Sequence, residues 1–131
     1  FLDLADYATP NETEAARLTG VHLEGLERAA EVVAAVRARG AAHAVLTLGA
    51  GGALAEGPSG RLHVPAFAVT AIDTTGAGDA FNGALAVALA ERRPLADALR
   101  FANAAAALAC TRRGAQPAMP MREDVERLLA R

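Results

Sequence analysis

The segment Asp73-Thr74-Thr75-Gly76-Ala77-Gly78-Asp79-Ala80-Phe81-Asn82-Gly83 sets two glycines and an aspartate just ahead of an apolar, alanine-rich stretch. Glycines at a helix start let the backbone come close to a ligand and aim successive N–H groups at one spot. The amino-terminal end of the helix adds partial positive charge, so the place suits a phosphate or a developing anion. A carboxylate in that nest would repel a phosphate. Asp79 makes sense there as a base taking a proton from a nucleophile that lies between it and the phosphate. In phosphoryl transfer an aspartate accepts the hydroxyl proton, while positioning and electrostatics supply most of the acceleration. The same residues also read as a tight turn followed by a first-turn acid on the helix dipole. Spacing alone leaves both readings open.

Two further segments carry polar groups or glycines at element boundaries. Thr9-Pro10-Asn11-Glu12-Thr13-Glu14 has the grammar of a helix start, with Thr9 as cap, Pro10 in the first turn and Glu12 closing a capping box. That reading gives Asn11 and Glu14 no task. Thr47-Leu48-Gly49-Ala50-Gly51-Gly52 ends a β-branched, apolar run in a glycine-rich turn, and its spacing is not the dinucleotide fingerprint.

Other chemistries are excluded or unsupported. Every one of the 13 basic residues is arginine, which removes a P-loop lysine, a protein-kinase strand lysine and a Schiff-base lysine. His22, His43 and His63 are scattered without metal-ligand spacing and read as surface or core residues. The single cysteine, Cys110, cannot form an internal disulfide, reads as a small core residue and fits a reducing cytoplasm. Of the arginine pairs, Arg92-Arg93 reads as solvent-facing, and the role of Arg112-Arg113 stays open.

The elements that must position these residues alternate. An apolar run over Phe1–Tyr7 predicts a strand, followed by a helix to about Leu18 that Gly20 ends. Leu26, Ala29, Ala30, Val33 and Val36 recur at helical spacing within Leu23–Arg39, and Gly40 stops that run. His43–Leu48 reads as a core strand, and Ala53–Ala66 as a hairpin about Gly57-Pro58-Ser59-Gly60. The Asp73–Asp79 turn opens a helix over Ala80–Ala90 that is apolar on nearly every face, which predicts burial. Pro94 starts an alanine-rich helix to about Thr111, Gly114–Pro120 is a loop, and Arg122–Ala130 is an amphipathic helix. The alternation predicts an α/β fold with a mostly parallel sheet and helices on both faces.

A chain of 131 residues, 53% hydrophobic and 21% charged, can bury a core and reads as one globular domain. A net charge of −2 gives no electrostatic reason for a nucleic-acid or membrane partner. No apolar run approaches the roughly 18 residues of a membrane span. The opening at Phe1, in an apolar stretch with no signal-peptide pattern, is expected of a piece of a longer product.

The Asp73–Gly83 segment resembles the second signature of the ribokinase family of carbohydrate kinases. The resemblance implies Asp79 as catalytic base, with the amides of Gly76, Ala77 and Gly78 as its anion hole. Asn11 and Glu14 look like the family's Asn-x-x-Glu element, which implies Asn11 at the nucleotide phosphates and Glu14 acting through water on Mg²⁺. Thr47, Leu48, Gly49, Ala50, Gly51 and Gly52 resemble the nucleotide loop, and Asn103 takes the place of a side chain offered to the adenine end of ATP. An activating monovalent cation, K⁺, is implied at Asp73, Thr75, Ala109, Arg112, Gly114 and Ala118. Ala118 stands where a serine is common, so only a backbone ligand survives there.

Arg100–Ala107 and Thr111–Pro117 resemble the family's carboxyl-terminal helix and loop. The likeness covers the chain, which is therefore expected to be the carboxyl-terminal nucleotide-binding and catalytic part, residues 1–131, of a single ribokinase-like three-layer α/β/α domain. The sugar-binding motif and lid belong to an amino-terminal half outside it. The activity implied is phosphoryl transfer from Mg·ATP to a sugar hydroxyl, ribose to ribose 5-phosphate first, in a cytoplasmic protein that is a homodimer when intact. Another sugar or a nucleoside as acceptor, or a nucleotide-binding piece without turnover, are the alternatives.

Overall fold

The computed structural model describes residues 7–20, 26–58, 60–67, 76–111 and 122–130. The expected strand over Phe1–Tyr7 lies outside them except at its end. The chain divides into two compact units, Phe1–His63 and Val64–Arg131.

The first unit runs β1 (Tyr7–Ala8), α1 (Glu12–Thr19), α2 (Leu26–Arg37), β2 (His43–Thr47), β3 (Ala53–Gly57) and β4 (Gly60–Val64), whose last residue crosses the boundary. The sheet order is β1-β2-β3-β4. β1 and β2 are parallel, with Tyr7 opposite His43 and Ala8 opposite Ala44. A parallel pair needs a crossover of a dozen residues or more, and α1 and α2 supply it. The connection from β2 to β3 is too short for that, so those strands pair antiparallel, from Ala44–Glu56 to Thr47–Ala53. The α/β expectation holds, but the expected mostly parallel sheet is corrected: among the described strands the sheet is mixed, parallel at β1–β2 and antiparallel at β2–β3.

Ala29, Val32, Val33 and Val36 are buried on one face of α2, the helical spacing expected. They pack with Ala8, Ala15, Ala44, Leu46 and Leu54 in one core. Ala44, Val45 and Leu46 are buried in succession, as a strand covered on both faces requires. The Tyr7 and His43 rings stack at 4.4 Å across the parallel pair. A Cβ at Gly57 would collide with the His43 ring, so a glycine opposite it is a matter of space. His43 Nδ1 is buried with no hydrogen-bond partner among the described residues.

The second unit contains α3 (Ala77–Ala90), α4 (Leu95–Cys110) and α5 (Arg122–Leu129), with α4 packed against both others. α4 is buried around most of its girth, through Ala98, Leu99, Phe101, Ala102, Ala104, Ala105, Ala107 and Ala109. α3 departs from expectation twice. It begins at Ala77 rather than Ala80, which brings Gly78 and Asp79 inside the first turn. It is also one-sided: Ala80, Phe81, Leu85 and Ala88 are buried, while Asn82, Gly83, Ala86 and Val87 are exposed. Alanine and glycine read as apolar in composition yet cost little when exposed, so composition overstated the burial.

Arg93 corrects the solvent-facing expectation for Arg92-Arg93. Its guanidinium lies 4.8 Å from the centroid of the Phe101 ring and pairs with Glu91 at 3.1 Å and Glu126 at 3.8 Å. Arg92 is exposed and left-handed, at φ 60°. Among the described residues no helix is long and apolar enough to cross a membrane.

Candidate active site

Because β1 and β2 are parallel, the chain leaves both at the same end of the sheet. This is the carboxyl end, where open α/β sheets bind ligands. There Asn11 pairs with Thr47 in a parallel bridge, and the Thr47 N–H donates to the Pro10 carbonyl at 3.3 Å. Two motifs far apart in sequence thus become neighbours.

Asn11 is the N-cap of α1. Its Oδ1 accepts from the Glu14 N–H at 2.8 Å, and Glu14 Oε1 accepts from the Asn11 N–H at 3.0 Å. This reciprocal capping box corrects the expected start at Thr9 and gives Asn11 and Glu14 the structural task they lacked. Both residues are exposed, and the Asn11 Nδ2 and the second Glu14 oxygen lie outside the box.

The turn after β2 is a 3-10 turn over Gly49–Gly51. Leu48 N–H donates to the Gly52 carbonyl at 2.8 Å, Gly51 N–H to Leu48 at 2.9 Å and Gly52 N–H to Gly49 at 3.1 Å. The amides of Gly49 and Ala50, at the front of the turn, have no acceptor inside it by its geometry. Gly52 sits at φ 87° and ψ −132°, which side chains other than hydrogen do not tolerate. A Cβ at Gly49 would stand 3.9 Å from Glu12 Oε1, so the turn lies beside the first turn of α1. His63 on β4, given no task from sequence, has Nε2 2.7 Å from the Gly51 carbonyl oxygen.

In the second unit Gly76 is the N-cap of α3 in the left-handed region, at φ 85° and ψ −4°, with no side-chain cap. The first helical bond runs from the Ala80 N–H to the Gly76 carbonyl at 2.9 Å. The amides of Gly76, Ala77, Gly78 and Asp79 therefore precede the ladder and find no acceptor in it. Asp79 is exposed in that same turn. Gly78 is not at positive φ, and a Cβ there would meet nothing within 4 Å. Neither strain nor packing among the described residues calls for a glycine there.

Asn103 is buried on α4, and its Nδ2 donates to the carbonyls of Val64 at 3.0 Å and Pro65 at 3.2 Å. Those bonds satisfy the amide in an alanine-rich helix and leave Oδ1 as its acceptor. Ala109 is buried in the last turn of α4, whose carbonyls carry partial negative charge. Asp73, Thr75, Arg112, Gly114 and Ala118 lie outside the described residues. Among the described residues no three His, Cys, Asp or Glu side chains are grouped to hold a metal ion.

Comparison with known proteins shows the family. The description pfkB family carbohydrate kinase matches residues 1–122. A ribokinase from Haemophilus influenzae is 41% identical over 123 residues, covering 94% of this chain and 40% of that protein. The structure of Arabidopsis thaliana ribokinase complexed with ribose and ATP superposes with a TM-score of 0.91 at 39% identity, over 98% of this chain and 42% of that one. Aminoimidazole riboside kinase from Salmonella enterica, complexed with aminoimidazole riboside and an ATP analog, gives 0.85 at 32% identity, over 99% and 44%. The chain thus spans about two fifths of the length of these three relatives.

Proposed function

Because the chain belongs to the pfkB family of carbohydrate kinases, we propose that it is the nucleotide-binding and catalytic part of an enzyme that phosphorylates a sugar with ATP. Ribose, yielding ribose 5-phosphate, is the acceptor put forward. The observation that carries the reading is the first turn of α3, where a run of amides without helical acceptors shares one turn with the exposed Asp79 carboxylate.

In this mechanism Asp79 takes the proton of the acceptor hydroxyl as its oxygen bonds to the γ-phosphorus. The bond from that phosphorus to the bridging oxygen breaks, and ADP keeps the electron pair. The Gly76, Ala77 and Gly78 amides donate to the phosphoryl oxygens, where charge is concentrated. In the first unit Asn11 Nδ2 and the Gly49 and Ala50 amides donate to the nucleotide. Asn103 Oδ1 is assigned to its adenine end.

Two cations accompany the reading. The donors present fit hard ions, which take oxygen ligands. Glu14, through water on the carboxylate oxygen outside its capping bond, would hold Mg²⁺, which neutralises phosphate charge when bound. The Ala109 carbonyl, with Asp73, Thr75, Arg112, Gly114 and Ala118, would hold K⁺ beside the anion hole. A cytoplasmic location goes with dependence on ATP.

The test is ATP-dependent phosphorylation of ribose by the full-length protein carrying this chain, with Asp79→Asn alongside and K⁺ varied. We expect Asp79→Asn to lose turnover by about three or more orders of magnitude with ATP binding kept. Activity on another sugar or a nucleoside instead would keep the mechanism and change the substrate. Equal turnover in both proteins would remove Asp79 from the chemistry.

A further inference from the structure

We propose that His63 is a positioning residue that holds the Gly49–Gly52 turn in its nucleotide-facing form. The inference rests on the nucleotide role proposed above for that turn.

The peptide unit between Gly51 and Gly52 is the weak point of the turn. Glycine flanks it on both sides, so rotating that plane costs little, and Gly52 already sits at φ 87°. In the structure both ends of the plane are pinned. The Gly52 N–H donates to the Gly49 carbonyl at 3.1 Å, and the Gly51 carbonyl oxygen lies 2.7 Å from His63 Nε2. A carbonyl oxygen only accepts, so Nε2 carries the proton.

The consequence is a sorting of donors from acceptors. The carbonyls of Leu48, Gly49 and Gly52 accept from amides of the same turn, and His63 occupies that of Gly51. The amides of Gly49 and Ala50 donate to no carbonyl of the turn. Without His63 the Gly51 carbonyl can swing round beside those amides and meet a phosphate oxygen with like partial charge. β4 reaches this position because β3 and β4 form a hairpin, tied at its far end by the Arg61–Glu56 pair at 2.8 Å.

The test compares His63→Phe, which keeps a ring and removes the donor, with His63→Gln, whose amide restores one. ATP affinity of the 131-residue chain is measured by calorimetry with Mg²⁺ present, together with Tm. Loss of one net hydrogen bond predicts binding about fivefold weaker in His63→Phe, recovery to within about twofold in His63→Gln, and no matching order in Tm. Equal affinity in wild type and His63→Phe overturns the proposal. So does a loss in His63→Phe that His63→Gln does not recover and that follows Tm, because the side chain then acts on stability alone. Absence of ATP binding by the wild-type chain overturns the nucleotide reading and this inference with it.

Discussion

Asn11 is a cap by observation and a nucleotide ligand by proposal. Its Oδ1 and backbone N–H are engaged in the box with Glu14, while Nδ2 lies outside the box and is the atom proposed to meet the nucleotide. The two roles come apart by substitution. Asn11→Ser keeps a capping oxygen and loses the amide donors; Asn11→Ala loses both. We expect Asn11→Ala to cost about 1 kcal/mol of stability and Asn11→Ser only a few tenths, by chemical denaturation. Both should bind ATP more weakly. Undiminished ATP affinity in Asn11→Ser would leave Asn11 a cap and nothing more. The sequence shows that a helix starts here but leaves its register open. Thr9 with Glu12, and Asn11 with Glu14, both have the spacing of a box. The tie is broken from outside the segment: the Thr47 N–H holds the Pro10 carbonyl and keeps Thr9 to Asn11 extended. No local pattern contains that bond. Asp79, by contrast, is legible, because glycines before an apolar helix and an acid in its first turn are all near neighbours in sequence.

Elements were legible where periodicity is strong, as in α2, and less so where small residues blur it. α3 is the clearest case: alanine and glycine suit the interior and the surface alike, so its outer face at Asn82, Gly83, Ala86 and Val87 emerges only from packing. The β3–β4 hairpin was legible from its turn residues, yet the reason for one of its glycines was not. Gly57 looks like turn chemistry and proves to be a matter of room for the His43 ring, which stacks on Tyr7. Gly57→Ala should therefore destabilise the chain by about 1–3 kcal/mol in denaturant unfolding, despite the better strand propensity of alanine. The double variant with His43→Ala should recover part of that loss by removing the ring. A neutral or stabilising Gly57→Ala would mean the ring moves aside freely and the stack contributes little.

At the scale of the molecule, the residues proposed to meet the nucleotide are divided between the two compact units, Asn11 and the Gly49–Gly52 turn in Phe1–His63, and Asn103 with the residue proposed to move the proton, Asp79, in Val64–Arg131. Neither unit's composition announces this, because both are rich in alanine and valine or leucine. The family relation adds a constraint that no single element carries: the chain matches about two fifths of the Haemophilus influenzae and Arabidopsis thaliana ribokinases compared above. The remaining three fifths is where we place selection of the acceptor. If that division holds, ATP recognition and acceptor recognition are separable, and a coupling between them needs the whole protein. In the 131-residue chain, ATP should bind with the same affinity whether or not ribose is present, by calorimetry with Mg²⁺. In the full-length protein, ribose should change ATP affinity, and by linkage ATP should change ribose affinity by the same factor. Dependence on ribose in the short chain would place acceptor contacts within these residues, with the exposed turn around Asp79 the first place to look. Independence in both would separate the two sites altogether and argue against direct transfer from one ligand to the other.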